Sequence, residues 1–245
     1  MSALIKEWQE LSVGGGKMRA YTARPANVAK APSVLVFQEI FGVNVHIREV
    51  TERLAGEGYV AIAPDYFWRT DPGMDLDYSP ESRTRGFASL KRLHSEQLLD
   101  DTNACLKFLQ AQPYTTEKVG SLGFCIGGHV AYLVACEANI AATAAFYGGG
   151  IASFRPGGGA PTVSLTPNIR GELLYSYGAK DGAMIAGQAD SLRRALLNAR
   201  IPYEVAMYPD AEHGFFCDHR ATFHEPSRDD AWRKVTRLFA RTLHG

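Results

Sequence analysis

A cysteine in this chain has the setting of an enzyme nucleophile. Residues 123–128 read GFCIGG, between an apolar run and an amphipathic one. A tight strand-to-helix turn requires small residues around a nucleophile, because a Cβ at Gly123 or Gly127 would collide with the backbone. Such a turn holds Cys125 in a strained conformation at a helix N-terminus, whose dipole favours a thiolate. The alternative is a glycine-rich turn around a cysteine that is merely buried.

Two more residues follow in the order nucleophile, acid, histidine. Asp181 lies in a turn just after the apolar run 173–177, and His213 follows the run 203–208. Asp181 would orient the imidazole of His213, which would stabilise the thiolate and transfer protons. The remaining histidines lack this setting, and we interpret them as structural: His46, His94, His129, His219, His224 and His244.

The segment 38–42, QEIFG, follows another apolar run and is expected at the same site. The backbone amides of Ile40 and Ile126 would donate to an oxyanion there. Glu39 stands beside them, and a carboxylate at an apolar strand end costs desolvation energy unless it is paired or protonated. An exposed loop glutamate is the alternative, but the coincidence with the site favours a functional Glu39.

The elements that must position these residues alternate along the chain. Continuous apolar runs are typical of parallel strands covered on both faces. We predict strands at 33–37, 59–63, 119–124, 141–147, 173–177 and 203–208, with an antiparallel edge strand at 17–23. Helices are predicted at 45–57, 89–112, 126–138, 185–199 and 228–243, and an irregular excursion at 65–85. This alternation predicts the α/β class: a three-layer αβα sandwich around a mostly parallel sheet.

Composition narrows the classes of function. The chain has 245 residues, 46% of them hydrophobic, and a net charge of zero. This length predicts a single domain over residues 1–245. The charge balance argues against nucleic acid or a polybasic membrane surface as partner. Charges at Lys6 and Glu7 precede any apolar stretch, so we expect no secretory signal and a cytoplasmic protein.

No cofactor and no metal are expected from the sequence. The four cysteines show no CxxC pair and no zinc-like spacing, so we interpret them as reduced thiols. Gly148-Gly149-Gly150 lacks the spacing of a dinucleotide fingerprint, and no helical pattern follows it.

Together, the segments 38–42, 123–128 and 212–215 and the turn at Asp181 resemble the dienelactone hydrolase (carboxymethylenebutenolidase) family of α/β-hydrolases. The resemblance extends from about residue 17 to the last helix. The segments 63–65 and 147–149 are also similar, which places Tyr147 among the substrate-binding residues.

The resemblance implies a mechanism. The resting Cys125 thiol lies towards Glu39, which accepts its proton when substrate binds, and the thiolate then pairs with His213. Attack on a lactone carbonyl gives a thioester, an enolate leaves, and water directed by His213 completes hydrolysis. Because a thiolate is itself a good leaving group, the adduct collapses forward only when the other group leaves as easily. The implied substrates are therefore enol lactones and activated esters, in the degradation of aromatic or chloroaromatic compounds.

The family binds a substrate carboxylate with two arginines. One lies before the long helix, where this chain has Arg83 and Arg85, of which Arg85 is the preferred candidate. The other falls four residues after the histidine, where this chain has Cys217; Arg220 is nearby but off the motif position. This departure weakens the case for dienelactone itself, though not for lactone or ester hydrolysis.

Three functions are therefore compared. The leading hypothesis is cysteine-dependent hydrolysis of a small enol lactone by a monomer or small homo-oligomer. The alternative is a hydrolase of other small esters or thioesters with the same triad. A non-catalytic ligand-binding or thiol-sensing protein is the third, disfavoured because every expected catalytic group is present in order.

Overall fold

The computed structural model describes residues 3–183 and 187–244, which build one mixed sheet with helices on both faces. Within these residues the sheet has eight strands in the order β1-β2-β4-β3-β5-β6-β7-β8. Their bounds are β1 Leu4–Val13, β2 Gly16–Pro25, β3 Ala31–Phe37, β4 Val60–Pro64, β5 Thr115–Phe124, β6 Ala142–Phe146, β7 Glu172–Gly178 and β8 Tyr203–Tyr208.

The sheet is parallel from β4 through β3, β5, β6 and β7 to β8, while β1 and β2 run antiparallel at one edge. Both faces of the central strands are covered, and β3, β4 and β6 are buried along their whole length. The carboxyl ends of the parallel strands therefore share one edge, where ligand sites form in such sheets.

The helices divide between the two faces. Their bounds are α1 Val45–Gly56, α2 Pro80–Leu90, α3 Ser95–Gln110, α4 Ile126–Glu137, α5 Gln188–Asn198 and α6 Glu225–Leu243, with a 3₁₀ helix at Thr162–Asn168. Helices α1 and α6 pack into one core cluster, whereas α3, α4 and α5 pack into those of the opposite face. The predicted α/β class with a mostly parallel sheet is confirmed. Among the described residues, no helix is long and apolar enough to cross a membrane.

The predicted single helix at 89–112 is wrong, because two helices, α2 and α3, occupy this region. The Ser79 side chain accepts a hydrogen bond from the Ser82 amide, and Pro80 opens α2, so a helix begins inside the predicted excursion 65–85. Helix α3 starts only after His94, which precedes the helix rather than lying within it. Leu93 is buried in the turn between them, so the apolar pattern continues through the break.

Two further elements were not predicted. Strand β1 was missed because most of its residues are exposed or half-buried, so it has no apolar run. This exposure is typical of an antiparallel strand at the edge of a sheet. The 3₁₀ helix at Thr162–Asn168 contains Pro167, which reads as a loop in the sequence. Of the helix predicted at 185–199, residues 185 and 186 lie outside the described residues, and α5 occupies Gln188–Asn198.

Strand β5 and helix α4 meet through glycines. A Cβ at Gly123 would lie 2.0 Å from the Gly127 carbonyl oxygen, and one at Gly127 would lie 2.2 Å from the Phe37 carbonyl oxygen. These are backbone atoms that no side-chain rotation can move. The absence of Cβ atoms lets α4 start directly at the end of β5, against the end of β3.

We therefore predict that Gly123→Ala lowers the free energy of unfolding by about 3 kcal/mol or more, a large effect for one methyl group. The matched control is Gly56→Ala at the end of α1, where a Cβ meets no atom within 4 Å. That change should be neutral, or stabilising by up to about 1 kcal/mol. Urea unfolding of both variants measures the difference, and equal stabilities would show that the close approach carries no constraint.

Candidate active site

The candidate residues lie after consecutive strands at the carboxyl edge of the sheet. Glu39 and Ile40 follow β3, Cys125 follows β5, Asp181 follows β7 and His213 follows β8. Tyr147 follows β6 in the same way. The parallel topology thus brings together residues that are far apart in the sequence.

Cys125 has a backbone conformation that an L residue rarely adopts. Its φ is 55° and its ψ is −123°, and it immediately precedes α4. The Cys125 amide donates to the Phe146 carbonyl at 3.0 Å, which ties the turn to β6. The thiol is partly buried at the N-terminus of a helix. These are the features expected of a nucleophile held above the sheet.

His213 lies between Asp181 and Cys125. A hydrogen bond of 2.8 Å joins His213 Nδ1 to Asp181 Oδ2, and the Ala183 amide donates to Asp181 Oδ1 at 2.8 Å. The Cys125 side chain lies near enough to the imidazole to raise its pKa. The ring of Tyr147 packs edge-on against the imidazole at 5.0 Å between centroids. The imidazole is therefore hydrogen-bonded to the carboxylate and adjacent to the sulfur.

The protonation of His213 follows from these neighbours. Burial alone would lower its pKa, but the charge of a Cys125 thiolate and the hydrogen bond with Asp181 outweigh it and raise the pKa of His213 to about 10. The imidazole is then protonated at neutral pH when the sulfur is a thiolate. An imidazolium–thiolate pair is the reactive form of a cysteine nucleophile.

Glu39 is buried and paired. Arg220 Nη1 donates to Glu39 Oε1 at 2.9 Å, and the Glu39 side chain is only 1% exposed. The Arg220 guanidinium lies over the rings of Phe41 and Tyr78, at 5.9 and 5.4 Å from their centroids. The sequence placed Arg220 off the motif, yet it contacts the glutamate. The hydrogen-bond partner of Glu39 in the structure is thus Arg220, whereas Cys125 lies beside His213.

A signal for Arg220 lies in the glycine after His213. Gly214 has a φ of 80°, and a Cβ there would come within 2.5 Å of the Arg220 guanidinium. The chain reverses direction after Gly214, so that the Arg220 guanidinium packs against this glycine. The spacing of Arg220 from the histidine in the sequence does not reveal this contact.

The arginines preferred from the sequence are engaged elsewhere. Arg85 lies exposed on α2 and forms two hydrogen bonds of 2.6 Å with Asp71. Arg83 is exposed, with its guanidinium 5.6 Å from the centroid of Phe87. The structure therefore brings Arg220 to Glu39 and leaves Arg83 and Arg85 in surface contacts, where their role in substrate binding stays a prediction.

Two backbone amides have the placement expected of an oxyanion hole. Ile126 is the first residue of α4, next to Cys125. Ile40 follows β3, and Gly127 packs against the end of that strand. Neither amide donates to a backbone carbonyl within the described ranges. Both are thus available to a ligand oxygen.

Of the other histidines, His129 is structural as predicted. It is buried and bonded to the Gly149 carbonyl and the Thr162 hydroxyl, and burial lowers its pKa to about 4. His46 was interpreted from the sequence as an ordinary residue at a helix start. It does lie in the first turn of α1, but its side chain is buried. Cys217 is also buried, and its thiol lies 3.1 Å from the Tyr78 hydroxyl.

Comparison with known proteins identifies relatives along nearly the whole chain. The sequence model of the dienelactone hydrolase family matches residues 18–243. A Synechocystis protein provisionally named carboxymethylenebutenolidase is 40% identical over 236 residues, 96% of this chain and 94% of its own. Carboxymethylenebutenolidase 1 of Cupriavidus pinatubonensis is 32% identical over 171 residues, 69% of each chain.

A solved structure agrees with these matches. A protein from Klebsiella pneumoniae, provisionally named dienelactone hydrolase, superposes with a TM-score of 0.88 at 32% identity. The match covers 98% of this chain and all of the other. Sequence and fold therefore point to the same group of hydrolases.

The contacts of His213 generate a prediction about its titration. We expect a pKa of about 10 for His213, and a much lower value in Cys125→Ala, because the neighbouring sulfur charge is the largest influence that raises it. Imidazole resonances followed by NMR between pH 5 and pH 11 measure both values. Since the folded pKa exceeds the ordinary 6.5, the stabilisation from this proton is complete below pH 6.5 and is lost as the pH rises through about 10. Identical titrations in the two proteins would contradict the pairing.

Proposed function

The chain belongs to the dienelactone hydrolase family, and we propose that it hydrolyses small enol lactones such as dienelactone through a thioester on Cys125. The family acts on esters and lactones; the nucleophile, the residue roles and the substrate are the proposal. One observation carries it: at the carboxyl edge of the sheet, His213 is hydrogen-bonded to Asp181 and lies next to the strained Cys125 at the N-terminus of α4.

The first step is attack by sulfur on the lactone carbonyl. His213, oriented by Asp181, stabilises the thiolate as an imidazolium. As the tetrahedral adduct forms, negative charge moves from sulfur to the carbonyl oxygen. The amides of Ile40 and Ile126 would donate to that oxygen, and one such donor contributes about 3–4 kcal/mol in a comparable site.

The ion pair between Glu39 and Arg220 links substrate binding to activation. A substrate carboxylate that binds Arg220 replaces Glu39 as the partner of the guanidinium. The Glu39 carboxylate then remains buried without its counter-ion, and a buried carboxylate without a partner binds a proton more readily. Where Cys125 is still a thiol, Glu39 accepts its proton, which completes the thiolate that pairs with His213.

The leaving group decides which substrates complete the reaction. The adduct expels either the thiolate or the ring oxygen, and an enolate leaves as readily as a thiolate. The C–O bond of the lactone breaks, the thioester forms, and the enolate takes the proton of the His213 imidazolium. Water then loses a proton to the neutral His213 and attacks the thioester carbonyl. The C–S bond breaks, which releases the acid and returns the Cys125 thiolate beside a protonated His213.

We predict that the protein hydrolyses dienelactone and that Cys125→Ala lowers kcat/KM by at least about a thousandfold, as for loss of other enzyme nucleophiles. The decrease of the ultraviolet absorbance of cis- and trans-dienelactone measures turnover. Cys105→Ala is the matched control, because Cys105 is a buried thiol in α3, away from the carboxyl edge. That variant should keep the parent rate.

Two outcomes would count against this function. Full turnover by Cys125→Ala would exclude Cys125 as the nucleophile. No turnover of dienelactone, together with rapid hydrolysis of uncharged activated esters, would exclude the carboxylated lactone and favour the alternative, hydrolysis of other small esters or thioesters.

The role of Arg220 gives a separate prediction. Arg220→Met should lower kcat/KM for dienelactone by about 10- to 150-fold, the equivalent of one charge-assisted contact of about 1.5–3 kcal/mol. An uncharged activated ester should be affected less. Arg85→Met is the matched control on α2, and it should leave both substrates near the parent values. The reverse ranking would make Arg85 the carboxylate-binding arginine.

A further inference from the structure

A group of potential metal ligands lies beside the candidate active site, and of its members only Glu39 takes part in the proposed reaction. One ligand atom each from Glu39, His46 and Cys217 lie within 4.8 Å of one another, and all three residues are buried. Glu39 follows β3, His46 lies in the first turn of α1, and Cys217 lies in the loop after His213. The sequence separates these residues too widely for a ligand motif to be visible.

Two of these side chains have buried polar atoms that are unsatisfied. Among the described residues, His46 Nε2 and Glu39 Oε2 have no hydrogen-bond partner, although each is shielded from solvent. Leaving such an atom unpaired costs about 1–3 kcal/mol. Arg220 occupies only the other carboxylate oxygen, Oε1. Glu39 Oε2 and His46 Nε2 thus stay open to a ligand while Arg220 keeps its ion pair with Oε1.

The cluster offers a nitrogen and a sulfur donor beside the carboxylate. Among the described residues, His46 Nε2 is buried without a hydrogen-bond partner, and the Cys217 thiol lies 3.1 Å from the Tyr78 hydroxyl. A bound metal ion would displace the thiol proton to solvent, as metal binding to cysteine generally does.

A small surface pocket adjoins the buried cluster. His46 lines it together with two acids, Glu49 and Asp218, and two arginines, Arg53 and Arg228. Glu49, Asp218 and His219 form an exposed second group whose ligand atoms also lie within 4.8 Å of one another. Glu49 is on α1 and Asp218 follows Cys217, so this exposed group lies on the two segments that carry His46 and Cys217.

The arginines near the pocket are engaged by other groups. Arg53 stacks over the Trp232 ring at 4.2 Å, and Arg228 pairs with Asp229 at 2.7 Å. Arg220 is neutralised by Glu39. Glu49 pairs with His219 at 2.7 Å, so a cation entering through this pocket would compete with that imidazole for the carboxylate.

The donor set identifies the class of ion. One thiol, one imidazole and one carboxylate suit zinc, whereas calcium and magnesium prefer oxygen ligands alone. Zinc bonds of about 2.0–2.3 Å place tetrahedral ligand atoms roughly 3.3–3.8 Å apart. From the 4.8 Å limit, the cluster would need to contract by about 1.5 Å at most to reach that spacing.

We propose that Glu39, His46 and Cys217 bind a zinc ion, with water in the fourth position. Binding fixes Glu39 on the metal and so inhibits the hydrolase. This second part rests on the proposed function, in which Glu39 accepts the thiol proton. The site is inhibitory and supplies no step of hydrolysis.

The binding test uses the full chain with Cys125→Ala, so that the candidate nucleophile cannot bind the metal. Co²⁺ serves as the probe, because a thiolate ligand gives it an intense charge-transfer absorption, and competition against a chromophoric chelator gives the Zn²⁺ affinity. We expect one ion per chain, with thiolate absorption. Adding Cys217→Ser should abolish the absorption and weaken Zn²⁺ binding by at least about tenfold. His46→Gln should weaken it similarly, and Cys136→Ala, a buried thiol in α4, should change neither signal.

Two results would overturn the site. Thiolate absorption that appears in the parent but vanishes in Cys125→Ala would place the ion on the nucleophile. Zn²⁺ affinity that is unchanged by both Cys217→Ser and His46→Gln would place it on the surface.

Inhibition is measured on the parent chain with an activated ester. Zn²⁺ should lower the rate, a chelator should restore it, and the rate of Cys217→Ser, relative to its own metal-free value, should be less sensitive to Zn²⁺. Equal sensitivity of both proteins would overturn the inhibitory role. A chain that binds Zn²⁺ through Cys217 but hydrolyses no ester would leave the site intact and overturn the proposed function instead.

Discussion

The backbone strain at Cys125 is the constraint on which the rest of the site depends. A non-glycine residue at a φ of 55° and a ψ of −123° costs about 1–3 kcal/mol, and the surrounding structure must enforce it. The enforcement comes from α4, whose residues are all buried except the last, Glu137. The helix can pack so deeply because Gly123 and Gly127 let it start at the very end of β5. Placing this helix also places the Ile126 amide and brings the sulfur within reach of His213.

A second constraint is the buried charge of Glu39. A buried ion pair contributes little net stability, because desolvation offsets most of the attraction between the charges. The pairing with Arg220 is therefore better understood as a binding arrangement than as a stabilising one. Arg220 has a side chain that is 20% exposed, whereas Glu39 is enclosed, so the arginine faces the side from which a substrate would arrive. A carboxylate from solvent can compete with Glu39 for Arg220. Whether Glu39 keeps its counter-ion then depends on whether that carboxylate is bound.

The sequence reveals those parts of the molecule that depend on local pattern and on parallel topology. Apolar runs locate the central strands, and their shared carboxyl edge implies that Cys125, Asp181 and His213 meet. Arg220 and His46 could not be placed in this way, because their positions depend on the path of a loop after Gly214 and on the depth of the first turn of α1. The break between α2 and α3 was missed because the buried Leu93 continues the apolar pattern through a turn. Edge strand β1 lacks an apolar run and gives no such signal.

The replacement at position 217 links specificity to regulation. The resemblance implies an arginine there, and this chain has a buried thiol instead, with its guanidinium supplied from Arg220. Moving the positive charge three residues along the chain keeps a counter-ion on one oxygen of Glu39. The Glu39 carboxylate also lies in a buried group with His46 and Cys217. An arginine at 217 would remove the thiol from this group, so the departure that weakens the match to the family's carboxylate site is also what creates the donor set. A carboxylate substrate would then release Glu39 for proton transfer, whereas a cation would hold Glu39 in place.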